Sequence, residues 1–594
     1  MTVNTTGLNL ADTELARFVA ELRDLVYDEA TTVRERIQGV WARPLSTRVA
    51  DGRAIAPVRI HALESDGLVE LTCPRNESRF REGDMLLLNR GDPFADPRIL
   101  VTLEADDDTR LFVSSDDPAL AWRTFAEERD GWVLDEGYLD ISQMLLDTLA
   151  QAADTAGGRE RVLPLLTGRA RPAIDAARYA HGLALGAAAG LNENQTEALA
   201  QAYASDLAYL IQGPPGTGKT AVLAYLAQAL VNDGERVLIT AFTHRAINHA
   251  LNTLARIAPD TPAIKIGRHA RADDLAVENY ESFEGSPLAT LSDGYVIGAT
   301  PFATRTGRLS GVEFDTVIFD EASQITLPLA IMGMLVAKKF IFIGDHCQLP
   351  PVLMSRAGNE LLHGSVFGAL VDRGFDTLLT ETYRLNAELL AWPSAQFYDG
   401  QLRPATEAIA ARRLAWEMTP GSLAAVLDPE TPLVFLDVRR RNTTTRSRAE
   451  ASAIADLVTA LLAGGIPPSE IGIVTPFRAQ SREIRTLLRR AVPDPIARQQ
   501  IVVDTVERMQ GQERDVIIVS LTTSNPLFAA EIADFFFQPE RLNVAITRPR
   551  VKLIIVGSHA LRDTTPVDLD QQLAVEWFND LLDACAYRTL ATYR

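Results

Sequence analysis

The sequence predicts an α/β protein in which two consecutive parallel-sheet units follow an accessory region of one long helix and a small β-barrel or sandwich. Three observations carry that prediction. From residue 208 onward, short apolar runs alternate with polar turns and helical stretches, the βα alternation of a parallel sheet. Residues 45–135 instead break into short alternating segments separated by turns. Ahead of these, residues 12–39 place Leu15, Phe18, Val19, Leu22 and Val26 at helical spacing. The division expected is 1–187 for the accessory region, 188–375 for the first α/β unit and 376–594 for the second.

In the accessory region the strand candidates are APVRIHAL, GLVELTC, GDMLLLN, RILVTLEA and TRLFVSS, parted by turns at Asp51-Gly52, Asp66-Gly67 and Gly91-Asp92-Pro93. A second helical stretch covers 138–187. LNENQTEALAQA (191–202) then leads into the first unit. Its Gln195 carries a side-chain amide that can pair with the donor and acceptor of an adenine edge.

The first unit opens with the apolar run YLIQ (209–212) and continues into GPPGTGKT (213–220). That is the phosphate-loop pattern in its strand–loop–helix setting. Gly213, Gly216 and Gly218 let backbone N–H groups turn toward an anion, with Pro214, Pro215 and Thr217 completing the loop. Lys219 is placed to neutralise β- and γ-phosphates, and the Thr220 hydroxyl to ligate Mg²⁺. The chain holds only five lysines, Lys219, Lys265, Lys338, Lys339 and Lys552, among 58 basic residues. A chain that otherwise uses arginine keeps lysine where a compact ammonium is wanted.

Further strands deliver further chemistry. RVLITAFTHRAINHAL (236–251) and DGYVIGATPFA (293–303) each read as strand, polar turn and helix, placing Thr243, His244, Asn248 and Thr300 at the carboxyl edge of a sheet, where ligands collect. Capping of the helices that follow explains each singly just as well. FDTVIFDEASQ (314–324) is a buried strand ending in Asp320, a metal ligand by position, and Glu321, a base for an attacking water. KKFIFIGDHCQLPP (338–351) brings Gln348 to a similar turn, where it can sense the γ-phosphate. Its adjacent His346 and Cys347 make a poor metal set. A hinge is expected near 372–376. The second unit begins with Tyr383-Arg384 and carries DTVERMQGQERD (504–515) and RLNVAITRPR (541–550), arginines that can face a nucleotide held by the first unit. Arg439, Arg440, Arg441, Arg446 and Arg448 flank threonines 443–445, a solvated loop first and a phosphate-backbone grip second.

Bulk properties narrow the class. The first 20 residues lack the basic start and apolar run of a signal peptide, and the longest apolar stretch, 325–337, is interrupted by proline and too short to span a bilayer. Cys73, Cys347 and Cys585 are far apart, which gives no disulfide or metal framework and fits a reducing cytoplasm. The formal net charge of −20 argues against nucleic-acid binding at face value. Residues 1–150 carry −13 of it, however, so a local basic channel in the remainder is compatible with the total.

Taken in order, LNENQTEAL, GPPGTGKT, AFTHRAINHAL, VIGATP, DEASQ, GDHCQLPP, TYR, VTPFRAQ, VDTVERMQGQERD and LNVAITR resemble the motif series of a superfamily 1 helicase. The resemblance is to the B branch typified by the nonsense-mediated-decay and immunoglobulin-mu-binding helicases, with THRAINHAL also similar to the helicase half of the Okazaki-fragment nuclease-helicase. It covers 191–550, and the accessory layout resembles the stalk and barrel of that branch. The resemblance implies two RecA-like domains with ATP and Mg²⁺ between them. Gln195 would read adenine and Tyr383 stack on it. Lys219, Thr220, Asp320 and Glu321 would serve phosphates, metal and water. Gln348, Arg384 and Arg548 would touch the γ-phosphate, with Gly511 near it and Glu513 on the ribose. Thr243, Thr300 and Thr505 would contact a nucleic-acid backbone.

The expected activity is ATP-driven translocation on single-stranded DNA or RNA, 5′ to 3′ in that branch, in the cytoplasm and with no membrane partner. The alternative is an ATP-gated clamp or remodeller that does not unwind. Two departures stand out: Thr382 occupies the position of a family glutamine, and Pro549 interrupts the usual run after Thr547-Arg548. No lysine precedes Lys219, so the restriction-type nuclease motif, which needs a lysine two residues after an acid, has no place in the accessory region. The expectation is a motor alone, working with a separate nuclease or other protein.

Overall fold

The computed structural model describes residues 12–63, 68–80, 83–107, 109–115, 129–268, 275–355, 364–417 and 421–589. The expected turn at Asp66-Gly67 lies outside them. Helix α1 (Thr13–Trp41) is capped by Asp12, whose side chain accepts from the Glu14 and Leu15 N–H groups. Its stripe of Leu15, Val19, Leu22, Leu25 and Val26 is buried with Leu146 and Leu149 of α2 (Ser142–Asp154), in one core with the first sheet. The stalk is thus packed on the first α/β unit, the amphipathic pattern having found its partner.

Between the two helices the chain closes a barrel. Strands β1 (Ala54–Leu63), β2 (Leu68–Thr72), β3 (Met85–Asn89), β4 (Ile99–Asp107), β5 (Arg110–Ser115) and β6 (Trp132–Glu136) run antiparallel in the order β1-β2-β5-β4-β3-β6, and β6 returns to β1. Alternate residues such as Ile55, Leu71, Leu86, Val101 and Trp132 fill a core separate from the rest of the molecule. Closure leaves no exposed strand edge. A buried ion pair sits in this region, Arg48 Nη1 to Asp135 Oδ1 at 2.5 Å, and Asn89 donates to the other Asp135 oxygen at 2.9 Å.

Helices α3 (Ala176–Ala188) and α4 (Glu193–Ala204) lead to the first sheet. Its strands are β7 (Ala208–Gln212), β8 (Arg236–Thr240), β9 (Ala263–Ile266), β10 (Glu278–Tyr280), β11 (Tyr295–Gly298), β12 (Thr316–Phe319), β13 (Lys339–Gly344) and β14 (Asp376–Leu378). All are parallel, in the order β10-β9-β11-β8-β12-β13-β7-β14. β7, β12 and β13 are buried along their whole length, as expected of strands covered by helices on both faces. The sheet continues past the division expected at 375: Asp376–Leu378 pairs with Leu210–Gln212.

The second sheet holds β17 (Leu433–Asp437), β18 (Ile471–Thr475), β19 (Val502–Thr505), β20 (Arg514–Ser520), β21 (Pro549–Gly557) and β22 (Ala586–Thr589), parallel in the order β19-β18-β20-β21-β17-β22. Two short strands, β15 (Glu381–Thr382) and β16 (Arg403–Pro404), pair between the two sheets. Three of the five lysines are buried. Lys265 is fully enclosed, Lys339 donates to the Tyr203 carbonyl, and Lys552 to that of Asp428. Among the described residues no helix is long and apolar enough to cross a membrane.

Candidate active site

The loop after β7 leads into helix α5 (Lys219–Asn232), whose first N–H groups have no partner within the helix. Gly216 and Gly218 take φ of 76° and 80°, the left-handed region that glycine enters without penalty. A Cβ on Gly213 would fall 1.8 Å from Cγ of Lys219, so the lysine stem folds back over that glycine. The loop is therefore a concave run of backbone donors with an ammonium beside it, an arrangement that holds phosphate.

β12 delivers Asp320 and Glu321 beside this loop. Asp320 is buried, accepts from the Glu321 N–H at 3.0 Å, and has its pKa pushed up by burial and by the charge of Glu321, with Lys219 pulling the other way. Glu321 sits at φ 50°, ψ 41°, unusual for a residue with a side chain, which turns it out of the strand line. Two buried hydroxyls nearby in the fold, Thr240 Oγ1 at the end of β8 and Ser323 Oγ, make no hydrogen bond to the described residues. A buried carboxylate, unpaired hydroxyls and the Thr220 hydroxyl form an oxygen donor set suited to a hard divalent cation with its waters. Asp345, His346 and Cys347 also cluster, yet the Cys347 thiol donates to the Phe397 carbonyl at 3.2 Å and burial pushes its pKa well up. A protonated thiol is no metal ligand.

The second unit reaches the same crevice. Arg384 pairs with Glu513 (Nε to Oε2, 2.7 Å) and donates to the Thr547 carbonyl at 3.0 Å. Burial raises and the Arg384 and Arg550 guanidinium groups lower the Glu513 pKa, with a net downward shift. Arg548 is 2% exposed, donates from Nε to the Val544 carbonyl at 2.8 Å, and is brought down to about 9 by burial and then by the neighbouring Arg384 charge, with Glu321 opposing. Two arginines held this close with few anionic partners form a site short of negative charge, which a polyphosphate supplies.

Other expected residues take parts that spacing alone did not disclose. Gln195 is buried and doubly used within the protein: Oε1 accepts from Asn192 N–H in a capping box, and Nε2 donates to the Thr217 carbonyl at 2.9 Å. It braces the phosphate loop, with its second N–H and remaining lone pairs left for a ligand. Tyr383 is 41% exposed, and its hydroxyl accepts from Asn192 at 3.0 Å. Gln348 donates to Asp345 at 2.7 Å, and Asp345 also accepts from Tyr398 of the second unit at 2.7 Å. Gly511 adopts φ 75° in the turn before β20. The chain leaves the first unit between Thr382 and Asn386, whose side chain is tied to the Val551 carbonyl, and not at 372–376, where β14 begins.

Thr243 and Thr300 lie just past the carboxyl ends of β8 and β11, and Thr505 is the last residue of β19. Thr243 caps helix α6 (His244–Ile257), accepting from Ala246 N–H at 3.2 Å, so capping is its part here; Asn248 lies within the same helix. Thr300 makes no side-chain cap, and the buried Thr505 hydroxyl has no hydrogen bond to the described residues. The run from Arg439 to Arg441 lies on the surface. Two contacts between the units involve residues that the sequence pattern does not single out. Gln510 reaches over from the second unit to Glu321 at 3.2 Å, and Arg245 of the first unit donates to the Arg508 carbonyl at 3.3 Å. Gln510 lies within VERMQGQERD, beside Gly511 and Glu513.

Two family models, each described as an AAA domain, match residues 190–414 and 362–560. Among curated relatives, the mouse DNA replication ATP-dependent helicase/nuclease DNA2 is 30% identical over 403 residues, 62% of this chain and 37% of that protein. The Drosophila melanogaster regulator of nonsense transcripts 1 homolog is 31% identical over 417 residues, 62% of this chain and 34% of that protein. The chain thus spans about a third of the length of these relatives. A solved arterivirus nonstructural protein 10 helicase overlays loosely, with TM-score 0.39 and 12% identity across 87% of this chain and 80% of that one, and adds nothing to the assignment.

Proposed function

Starting from a chain that belongs to the superfamily 1 helicases, we propose that it hydrolyses ATP in the crevice between its two parallel-sheet units and uses the cycle to move along single-stranded nucleic acid, 5′ to 3′. The observation that carries this reading is the meeting of the two halves at one place. Glu321 of the first unit is bonded to Gln510 of the second, beside a phosphate loop that also touches Arg384.

In this reading Lys219, the first N–H groups of α5 and the glycine turn bind the phosphates. Thr220 and Asp320 hold Mg²⁺, which when bound neutralises phosphate charge. Glu321, oriented by Gln510, takes the proton of the attacking water. Arg384 and Arg548 stabilise the charge that develops on the transferred group, and Gln348, anchored through Asp345 to Tyr398, links that charge to the second unit. Gln195 and Tyr383 flank the base, and Glu513 the ribose. Because these groups sit on two units, closing and reopening alter the carboxyl edges where Thr243, Asn248, Thr300 and Thr505 lie, and grip on a strand changes with them.

The relatives' names point one toward DNA and the other toward transcripts, so both polymers belong in the test. ATP hydrolysis is measured with matched single-stranded DNA and RNA oligonucleotides at two salt concentrations, followed by strand displacement on a 5′-tailed duplex. The expected result is stimulation that weakens steeply with salt, as phosphate-directed binding does, and displacement from the 5′ tail. No stimulation by either polymer contradicts the proposal. Stimulation without displacement replaces the translocase with an ATP-gated clamp.

A further inference from the structure

Thr382, one of the two departures from the family pattern, is fully buried between the two halves of the crevice. Its hydroxyl uses both of its roles. Oγ1 donates to the Pro215 carbonyl of the phosphate loop at 2.8 Å and accepts from the Arg384 N–H at 3.2 Å. One residue later, Tyr383 N–H donates to the Gly216 carbonyl at 2.8 Å. The two segments run so close that a Cβ on Gly216 would lie 2.4 Å from Cβ of Arg384 and 2.6 Å from Oγ1 of Thr382.

The neighbouring backbone follows the same attachment. Leu379 N–H donates to the Gln212 carbonyl and Thr380 N–H to the Asn194 side chain, both at 2.8 Å. The Arg384 guanidinium, by contrast, is held by Glu513 and the Thr547 carbonyl of the second unit. Arg384 is therefore rooted on one side of the crevice and held at its tip by the other. Thr382 is the only side chain in this stretch that bonds both the phosphate loop and the Arg384 backbone.

Resting on the ATPase reading above, we infer that Thr382 is a positioning residue for hydrolysis: its hydroxyl fixes the Arg384 backbone against the phosphate loop, so that Arg384 keeps its reach to the γ-phosphate through the cycle while Arg548 arrives with the second unit. The hydroxyl does not touch the phosphates. It acts by setting where the Arg384 side chain starts, and a shift of about 1 Å in a catalytic group can cost about 100-fold in rate.

The test is a double-mutant cycle on ATP turnover in the full chain, built from Thr382→Val, Arg384→Ala and the pair, with Thr382→Ser as the conservative variant and ATP binding measured separately. Thr382→Val is expected to lower kcat about 10- to 100-fold with KM for ATP nearly unchanged. Thr382→Ser is expected to restore most of the rate, and the double variant to be no slower than Arg384→Ala alone. Should the valine variant not fold, Thr382→Cys keeps the size with a weak donor and acceptor and gives the same readout. Multiplicative losses in the double variant, or equal losses in the serine and valine variants, would overturn the inference and leave the ATPase reading intact. Undiminished turnover in Arg384→Ala would overturn both.

Discussion

Gln510 donates its side-chain amide to Glu321 Oε2 at 3.2 Å, joining the end of a first-sheet strand to a turn 189 positions later in the sequence. Glu321 already sits in a left-handed backbone conformation, and its carboxylate direction is completed by the other unit. Gln510→Ala is expected to slow ATP turnover about 10- to 100-fold, the value of a hydrogen bond to a charged group, with little change in KM. Steady-state kinetics check it; an unchanged kcat would remove Gln510 from the catalytic arrangement.

The Arg48–Asp135 pair predicts a large local effect far from the crevice. Both partners are almost fully buried, and burial pushes the Asp135 carboxyl up despite Asn89 and Arg48. Removing one partner leaves an uncompensated buried charge, so Arg48→Met should destabilise the barrel by about 3–5 kcal/mol, and Arg48→Met with Asp135→Leu should recover most of it. Hydrogen exchange of the β3 and β6 amides reads this directly. Equal protection in wild type and Arg48→Met would mean the pair contributes nothing.

Glu450 gives the second unit a pH dependence of known sign. It is fully enclosed, and burial lifts its pKa from 4.5 to about 7 against hydrogen bonds from Thr522, Ser520 and Ser447. Because the folded value is the higher one, the protonated group favours the fold. That contribution is complete below about 4.5 and is lost as pH rises through about 7, a change of about 3 kcal/mol. Glu450→Gln should therefore match wild type near pH 5 and exceed it near pH 8. Thermal unfolding at the two pH values decides; a variant no more stable than wild type at the upper one contradicts this account.

Much of this arrangement can be read from residue order, for physical reasons that differ by element. The phosphate loop is legible because its geometry demands residues without side chains at fixed offsets, and β7, β12 and β13 because strands covered on both faces must be apolar throughout. The barrel is legible as short alternating strands but not as closed, since closure depends on β6 finding β1, about 75 residues away. β14 is three residues long, too short for a periodic signal, and so the first sheet runs past the expected division. Gln195 reads as a ligand contact from its position, while its bond to Thr217 requires a folded turn to see. Gln510 is silent in the sequence because its partner Glu321 lies 189 positions away, and Thr382 shows there only as a departure, its bond to Pro215 needing the folded chain.

The most direct measurement of the shared-crevice claim is ATP binding and turnover in Arg548→Ala. Arg548 is buried beside Arg384 and donates to its own unit's Val544 carbonyl, so its charge serves the crevice more than the surface. The account predicts ATP affinity within about threefold of wild type and turnover reduced about 10³-fold or more, the range measured for an arginine supplied to a transferring phosphoryl group. Normal turnover in a folded, ATP-binding Arg548→Ala protein would contradict it.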